Sequence, residues 1–110
     1  MTRLFVYTNP FRKCWKAMGL SDDHLKDLEN ILLEKQRKGA VIEGTGGARK
    51  MRIQLSDNTG KSGGGRVIYV DIFEKERIYL LFAYPKNVQD NLTAEQKNII
   101  KKMIENIAKE

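Results

Sequence analysis

The sequence is poor in the residues that build disulfides and metal centres. It has one cysteine, Cys14, and one histidine, His24, among 110 residues. A lone cysteine forms no internal disulfide, and one histidine with one cysteine cannot supply the soft ligands of a zinc site. We therefore predict neither a metal nor a cofactor. We expect Cys14 to pack in the core and His24 to be exposed and without a role.

Long hydrophobic runs are also missing. No apolar run approaches the roughly 18–20 residues that cross a bilayer, which excludes a transmembrane helix. The first ten residues, MTRLFVYTNP, have neither the apolar core nor the small-residue cleavage site of a signal peptide. With 41% hydrophobic and 31% charged residues, the chain is expected to form one domain over 1–110. We expect a cytoplasmic protein with no membrane partner.

Acidic residues are scarce in two parts of the chain. The sequence has 14 Asp and Glu against 20 Lys and Arg, a formal net charge of +6 at pH 7. Residues 1–20 contain four basic and no acidic residues, and residues 39–70 contain five basic and two acidic residues. Such an excess favours a polyanionic partner such as nucleic acid, anionic lipid or an acidic protein. A solvated basic surface without a partner would give the same composition.

Apolar spacing and capping residues predict two helices near the N-terminus. Residues 3–7 favour a short strand. Asn9 is expected to cap a first helix that has Pro10 at its first position and ends at Gly19. Ser21 is expected to cap a second helix, which Gly39 follows.

The remaining chain predicts three strands and a last helix. The strands are expected at 51–55, 66–73 and 78–84, and a capping box at Thr93 opens the helix. The order β-α-α-β-β-β-α indicates an α+β fold. We predict a small, twisted, mostly antiparallel sheet with the two N-terminal helices packed on one face. The last helix packs on the domain or lies at its edge.

Two glycine-rich segments do not fit nucleotide-binding motifs. Gly60-Lys61-Ser62 matches the end of a phosphate-binding loop, but position 55 is Leu55 and a strand follows rather than a helix. The segment 44–47 lacks the third glycine of a dinucleotide fingerprint. The glycines allow close approach of the backbone to a ligand, or form a plain hairpin loop.

Cations on the predicted sheet are the remaining candidate site. Arg52 and Gln54 share one strand face, Arg66 begins the next strand, and Lys86-Asn87 follows the last strand. Because the end of one antiparallel strand lies beside the start of its neighbour, one concave surface could combine Arg49, Arg52, Arg66, Tyr84 and Lys86. Guanidinium groups bind phosphate through paired hydrogen bonds. Such a cluster can bind RNA, and it can also stabilise charge that builds on a phosphate during cleavage.

Three segments closely resemble toxins of the RelE/ParE superfamily. They are GTGGARKMR at 44–52, GKSGGGRVIY at 60–69 and IYLLFAYPKN at 78–87. Together with the helix start DNLTAEQ at 90–96, they are most similar to the HigB-like branch of RelE-type toxins from type II toxin–antitoxin modules.

The resemblance implies a RelE-like fold and a bacterial toxin that inhibits translation and growth. Relatives enter the ribosomal A site and cut mRNA there, with the RNA 2′-hydroxyl as the nucleophile. Arg66 is expected to hold the scissile phosphate, and Lys86 to stabilise it or donate a proton. Tyr84 and Arg52 complete the predicted catalytic set. The predicted RNA-binding residues are Arg49, Lys50, Lys61, Gln54 and Asn87.

The general base is not identified by the resemblance. The strand that carries paired lysines in some relatives has only one charge here, at Arg52, and no histidine lies near the site. Tyr84 and Lys86 could move protons only if their pKa values fell well below about 10. Clustered cations are expected to push both in that direction.

The resemblance also implies partners. We expect a HigA-like helix-turn-helix antitoxin encoded nearby, contact with operator DNA only through the antitoxin complex, and binding to mRNA and the small ribosomal subunit. Two alternatives stay open: a ParE-like toxin that binds DNA gyrase without cutting RNA, and an inactive module that only binds its antitoxin. The presence of Arg66 and Lys86 favours the nuclease.

Overall fold

A computed structural model describes residues 3–35, 37–54 and 64–110. The elements are β1 (Leu4–Tyr7), α1 (Asn9–Ala17), α2 (Asp22–Glu34), β2 (Ala40–Val41), β3 (Arg49–Ile53), β4 (Gly65–Ile72), a 3-10 turn (Phe73–Lys75), β5 (Arg77–Pro85) and α3 (Ala94–Ala108). The predicted order is confirmed except for β2, which is too short to leave a periodic pattern. The predicted strand end at Leu55 and the glycine loop with Lys61 lie outside the described residues. No helix in the described ranges is long and apolar enough to cross a membrane.

The five strands form one sheet in the order β1-β5-β4-β3-β2. Strand β1 runs parallel to β5, and the other neighbours are antiparallel. The two helices between β1 and the rest of the sheet provide the long crossover that a parallel pair requires. The prediction of a mostly antiparallel sheet is therefore confirmed.

The start of α1 differs by one residue from the prediction. Thr8, rather than Asn9, is the N-cap, and its side-chain oxygen accepts from the Phe11 N–H. The same hydroxyl donates to the main-chain oxygen of Leu80 at 2.9 Å. Thr8 takes the capping position because it lies at the end of β1, where it also binds β5.

The cap of α2 involves the histidine that the sequence left without a role. Ser21 is the N-cap, as predicted. The half-buried ring of His24 accepts the Ser21 N–H through Nδ1 at 3.0 Å. The expectation that His24 is idle was wrong, because its side chain satisfies an N–H that the helix itself cannot.

Helices cover both faces of the sheet. Helices α1 and α2 pack Phe11, Trp15, Leu28 and Leu32 on one face, and the partly buried Cys14 joins this core as predicted. Helix α3 packs Ile100, Ile104 and Ile107 on the other face. The position of α3, which the sequence left open, is therefore on the domain. Strands β4 and β5 are consequently buried on both sides.

An irregularity between β4 and β5 decides which side chains face α3. Ile68 pairs with Phe82, but Tyr69 pairs with Leu80, so β5 contains one extra residue. An extra residue reverses the alternation of side chains beyond it. Ala83 therefore joins the core of α1 and α2, and Tyr84 joins the core of α3.

Candidate active site

Three predicted site residues are direct neighbours on adjacent strands. Arg52 of β3 pairs with Arg66 of β4, and Arg66 pairs with Tyr84 of β5. Directly opposed side chains lie on the same face of a sheet. Because Tyr84 packs into the α3 core, this is the face that carries α3. Lys50 lies two residues before Arg52 and so shares that face.

A cleft of about 390 Å³ opens beside β3 and β4. Among the described residues, its charged lining consists of Lys38, Lys50, Arg52, Arg66 and Asp90. Main-chain and apolar lining comes from Gly39, Ala40 and Met51. The excess of positive charge makes this cleft suited to a polyanion.

Arg66 occupies the buried side of the cleft. The residue is 3% exposed, and its Nη1 donates to the main-chain oxygen of Gly65 at 3.1 Å. Its Nη2 lies 3.7 Å from Oδ1 of Asp90. Burial and these contacts hold the guanidinium in place, and a charge with little water around it acts strongly on a bound anion.

Arg52 is exposed and lies directly opposite Arg66. Two like charges placed opposite each other in a sheet oppose folding. Conflicts of this kind between stability and local arrangement are expected at functional sites. The pair therefore marks the position where an anionic ligand would be most favoured.

Tyr84 is buried and anchors a loop. Its hydroxyl donates to the main-chain oxygen of Asp90 at 3.0 Å. Burial raises the pKa of Tyr84, the nearby charge of Asp90 raises it further, and Arg66 opposes both effects. The expectation that clustered cations lower the pKa of Tyr84 was wrong, because desolvation of the phenolate outweighs the attraction of Arg66.

The loop 86–92 between β5 and α3 is attached at several points. Besides the Tyr84 bond, Lys50 Nζ donates to Oδ1 of Asn91 at 3.0 Å. Gln89 Nε2 donates to Oε1 of Gln96, the third helical residue of α3, at 2.9 Å. These contacts connect the loop to β3, β5 and α3. They place Asp90 at the edge of the cleft.

Lys86 and Asn87 lie at the same end of the sheet as Arg66. The Lys86 N–H donates to the main-chain oxygen of Gly64, immediately before β4. Both Lys86 and Asn87 are exposed, as is Gln54, which follows β3. These residues surround the end of the sheet where β3, β4 and β5 meet.

Arg49 lies on the opposite face of the sheet from Arg52, Arg66 and Tyr84. It pairs with Tyr69, which belongs to the core of α1 and α2. Its Nη1 donates to the main-chain oxygens of Arg37, at 3.1 Å, and Gly39, at 2.8 Å. The predicted convergence of five residues on one surface was therefore wrong for Arg49. The alternation along β3 separates Arg49 from Lys50 and Arg52.

Arg49 still contributes to the cleft indirectly, through its hydrogen bond to the lining residue Gly39. Gly39 lines the cleft and has a φ of 93°, a conformation that favours glycine. A Cβ at this position would also collide with the main-chain oxygen of Lys50. Arg49 thus holds Gly39 in place close to β3, where Gly39 lines the cleft.

Sequence reasoning missed two lining residues, Lys38 and Asp90. The second helix was predicted to run up to Gly39, which would place Lys38 in it, but α2 ends at Glu34. Asp90 was part of a helix-start motif. Neither spacing pattern shows that these loops fold back against β3 and β4. Contacts between distant segments carry no local signal in a single sequence.

The sequence also matches a known family of toxins. The sequence model of the family described as the RelE toxin of the RelE / RelB toxin-antitoxin system matches residues 2–110. This match spans nearly the whole chain.

Solved structures of E. coli RelE share the fold. A double arginine-to-alanine mutant of that toxin in the free state superposes with a TM-score of 0.57 at 19% identity, covering 82% of this chain and 90% of that chain. The toxin in the intact RelBE toxin-antitoxin complex gives 0.55 at 19% identity, covering 76% and 96%. The isolated toxin gives 0.55 at 18% identity, covering 93% and 99%.

Proposed function

This chain belongs to the RelE toxin family, and we propose that it inhibits translation by cutting mRNA in the ribosomal A site. The observation that carries the proposal is the cross-strand row of Arg52, Arg66 and Tyr84 beside a cationic cleft. A row of guanidinium groups fits a phosphodiester, for which paired donors are the preferred ligands.

The RNA supplies the nucleophile in this reaction. Its 2′-oxygen loses a proton and bonds to the adjacent phosphorus, and the bond from phosphorus to the 5′-oxygen of the next nucleotide breaks. The products carry a 2′,3′-cyclic phosphate and a 5′-hydroxyl. Arg66 and Arg52 stabilise the negative charge that builds on the phosphate oxygens. Lys86, at the same end of the sheet, stabilises the phosphate or protonates the leaving 5′-oxygen.

Positioning supplies a large part of the rate in such a site. Holding the 2′-oxygen in line with the phosphorus contributes roughly 7–11 kcal/mol when the geometry is near attack. We propose that the ribosome imposes this geometry on the A-site codon. This accounts for a nuclease whose own described residues include no histidine in the cleft.

Primer extension on mRNA from an in vitro translation reaction tests the proposal. The wild-type protein should produce cuts at A-site codons, and Arg66→Ala should produce none while remaining folded by circular dichroism. The matched control is Lys26→Ala, which removes one exposed charge from α2 and should cut normally. Full cleavage by Arg66→Ala would remove the proposed role of Arg66.

The same reaction separates the proposal from the gyrase alternative. Uncut mRNA and normal translation, together with blocked supercoiling of plasmid DNA by gyrase, would identify a ParE-like activity instead. Normal behaviour in both assays would identify an inactive module that only binds its antitoxin.

We further propose a HigA-like helix-turn-helix antitoxin, encoded beside this toxin, as the partner that silences it in the bacterial cytoplasm. The family description names a toxin-antitoxin system, and one similar structure is a toxin bound to its antitoxin. Operator DNA would be bound only through that complex. Placement in the HigB-like branch stays a prediction from the sequence. Co-purification of the neighbouring gene product with this chain would test the partner.

A further inference from the structure

We propose that Asp90 is the general base that accepts the proton of the RNA 2′-hydroxyl. The inference rests on the proposed ribonuclease function and supplies the role that the sequence left unassigned. Among the described residues that line the cleft, Asp90 is the only acidic one.

The position of the carboxylate relative to Arg66 supports this role. Oδ1 of Asp90 lies 3.7 Å from Nη2 of Arg66, which is too long for a hydrogen bond. A phosphate held by Arg66 has its attacking 2′-oxygen about 3–3.5 Å from phosphorus in a near-attack geometry. A phosphate bound to Arg66 would bring its 2′-hydroxyl near the Asp90 carboxylate, and such proximity is the first requirement for a general base.

The loop fixes the backbone of Asp90 and leaves most of its side chain exposed. Tyr84 binds the main-chain oxygen of Asp90, and Lys50 binds the side chain of the next residue, Asn91. The side chain of Asp90 is 64% exposed. A group held through its main chain, with a largely exposed carboxylate beside Arg66, is fixed in position at the site.

The other ionisable groups in the part of the site that the structure describes do not suit this role. Arginine and lysine side chains are protonated in neutral water, so they cannot accept a proton there. In addition, the Lys50 ammonium group donates a hydrogen bond to Oδ1 of Asn91. The Tyr84 hydroxyl is buried and already donates a hydrogen bond to the main-chain oxygen of Asp90.

The proton and bond changes balance without a further reactant. Asp90 takes the proton from the 2′-oxygen as that oxygen bonds to phosphorus. The bond from phosphorus to the 5′-oxygen breaks, and the 5′-oxygen takes a proton from the Lys86 ammonium. Water then removes the proton from Asp90 and returns one to Lys86.

The test compares cleavage with binding in single-turnover reactions on ribosomes that carry a defined A-site codon. Asp90→Asn keeps the shape and the main-chain anchor, and it removes the carboxylate charge together with its ion pair to Arg66. The binding measurement shows whether Arg66 still holds the phosphate without that pair. Its cleavage rate should fall by about 10²- to 10⁴-fold. Its affinity for ribosomes whose A-site codon carries a 2′-O-methyl group should be unchanged or higher. Asp90→Glu, which retains a carboxylate, should recover part of the rate.

Two control variants make the result specific. Asp23→Asn removes the same charge from the exposed first turn of α2 and should cut at the wild-type rate. Asn91→Ala breaks the contact with Lys50 and reports the cost of loosening the loop, which should be smaller than that of Asp90→Asn.

The outcomes separate the two proposals. If the wild type cuts, Arg66→Ala does not, and Asp90→Asn cuts within about threefold of the wild type, the base is another group and only this inference fails. Equal losses in Asp90→Asn and Asn91→Ala would likewise overturn it in favour of a structural role for the loop. If the wild type cuts no mRNA, the proposed function fails and this inference fails with it.

Discussion

Arg52 and Arg66 form a directly opposed cross-strand pair on the face of the sheet that carries α3. Removing one of the two charges should stabilise the fold and weaken the site. For Arg52→Gln we expect the free energy of unfolding to rise by about 0.2–1 kcal/mol at low salt. Cleavage of mRNA should fall, because one phosphate ligand is lost. Urea unfolding and the primer-extension assay measure the two effects.

Salt provides the control for this prediction. Repulsion between the arginines is screened at about 1 M salt, where the Debye length is about 3 Å. The stability gain of Arg52→Gln should therefore disappear there. A stability gain that persists at high salt would show that packing, not charge, causes the difference in unfolding free energy between the wild type and the variant.

Tyr84→Phe tests the anchor of the loop 86–92. The variant loses the hydrogen bond to the Asp90 main chain, and we expect a cost of about 0.5–1.5 kcal/mol in unfolding free energy. Cleavage should fall less than in Asp90→Asn, because the carboxylate remains. Equal cleavage losses in the two variants would point to a direct chemical role for the hydroxyl. Single-turnover rates decide between them.

Tyr69 should make the fold sensitive to alkaline solution. Burial raises its pKa from 10.0 to about 12, with Arg49 opposing and Asp71 adding to the shift. The protonated form is thus favoured in the folded state, so the stability that it contributes is complete below pH 10 and is lost as pH rises towards 12. We expect a loss of about 1–3 kcal/mol across this range.

Tyr69→Phe provides the comparison. The variant should be less stable near neutral pH, because the Tyr69 hydroxyl donates to the main-chain oxygen of Lys38. Its stability should then change less between pH 10 and 12 than that of the wild type. Parallel curves for the two proteins, measured by urea unfolding across this range, would contradict the assignment to Tyr69.

A buried ion pair joins Arg3 to Asp71 of β4. Arg3 Nη2 lies 3.0 Å from Oδ1 of Asp71, and the two side chains are 0% and 2% exposed. Arg3→Ala leaves a buried carboxylate without its partner, and we expect a cost of about 3–5 kcal/mol. Replacing both residues, as Arg3→Met with Asp71→Leu, should recover most of that loss. Urea unfolding of the single and double variants measures this, and a double variant as unstable as the single would contradict it.

Helix ends and apolar stripes were readable from the sequence because they depend on residues only a few positions apart. Ser21, Thr93 and Gly19 occupy the helix ends that were predicted for them. The predicted strand 78–84 lies within β5, which runs from Arg77 to Pro85. Candidate site residues on neighbouring strands were also visible, and three of them do meet: Arg52, Arg66 and Tyr84.

Tertiary structure decided which side of the sheet each functional residue occupies. The extra residue in β5 turns Tyr84 towards α3, while alternation along β3 turns Arg49 away from Lys50 and Arg52. The folded loop 86–92 then brings Asp90 to Arg66, which lies 24 positions earlier in the chain. The sequence alone determined the charge of this protein and all its main elements except β2, because local interactions specify both. Strand register and loop closure depend on long-range packing, so only the folded chain determined which charges share the cleft.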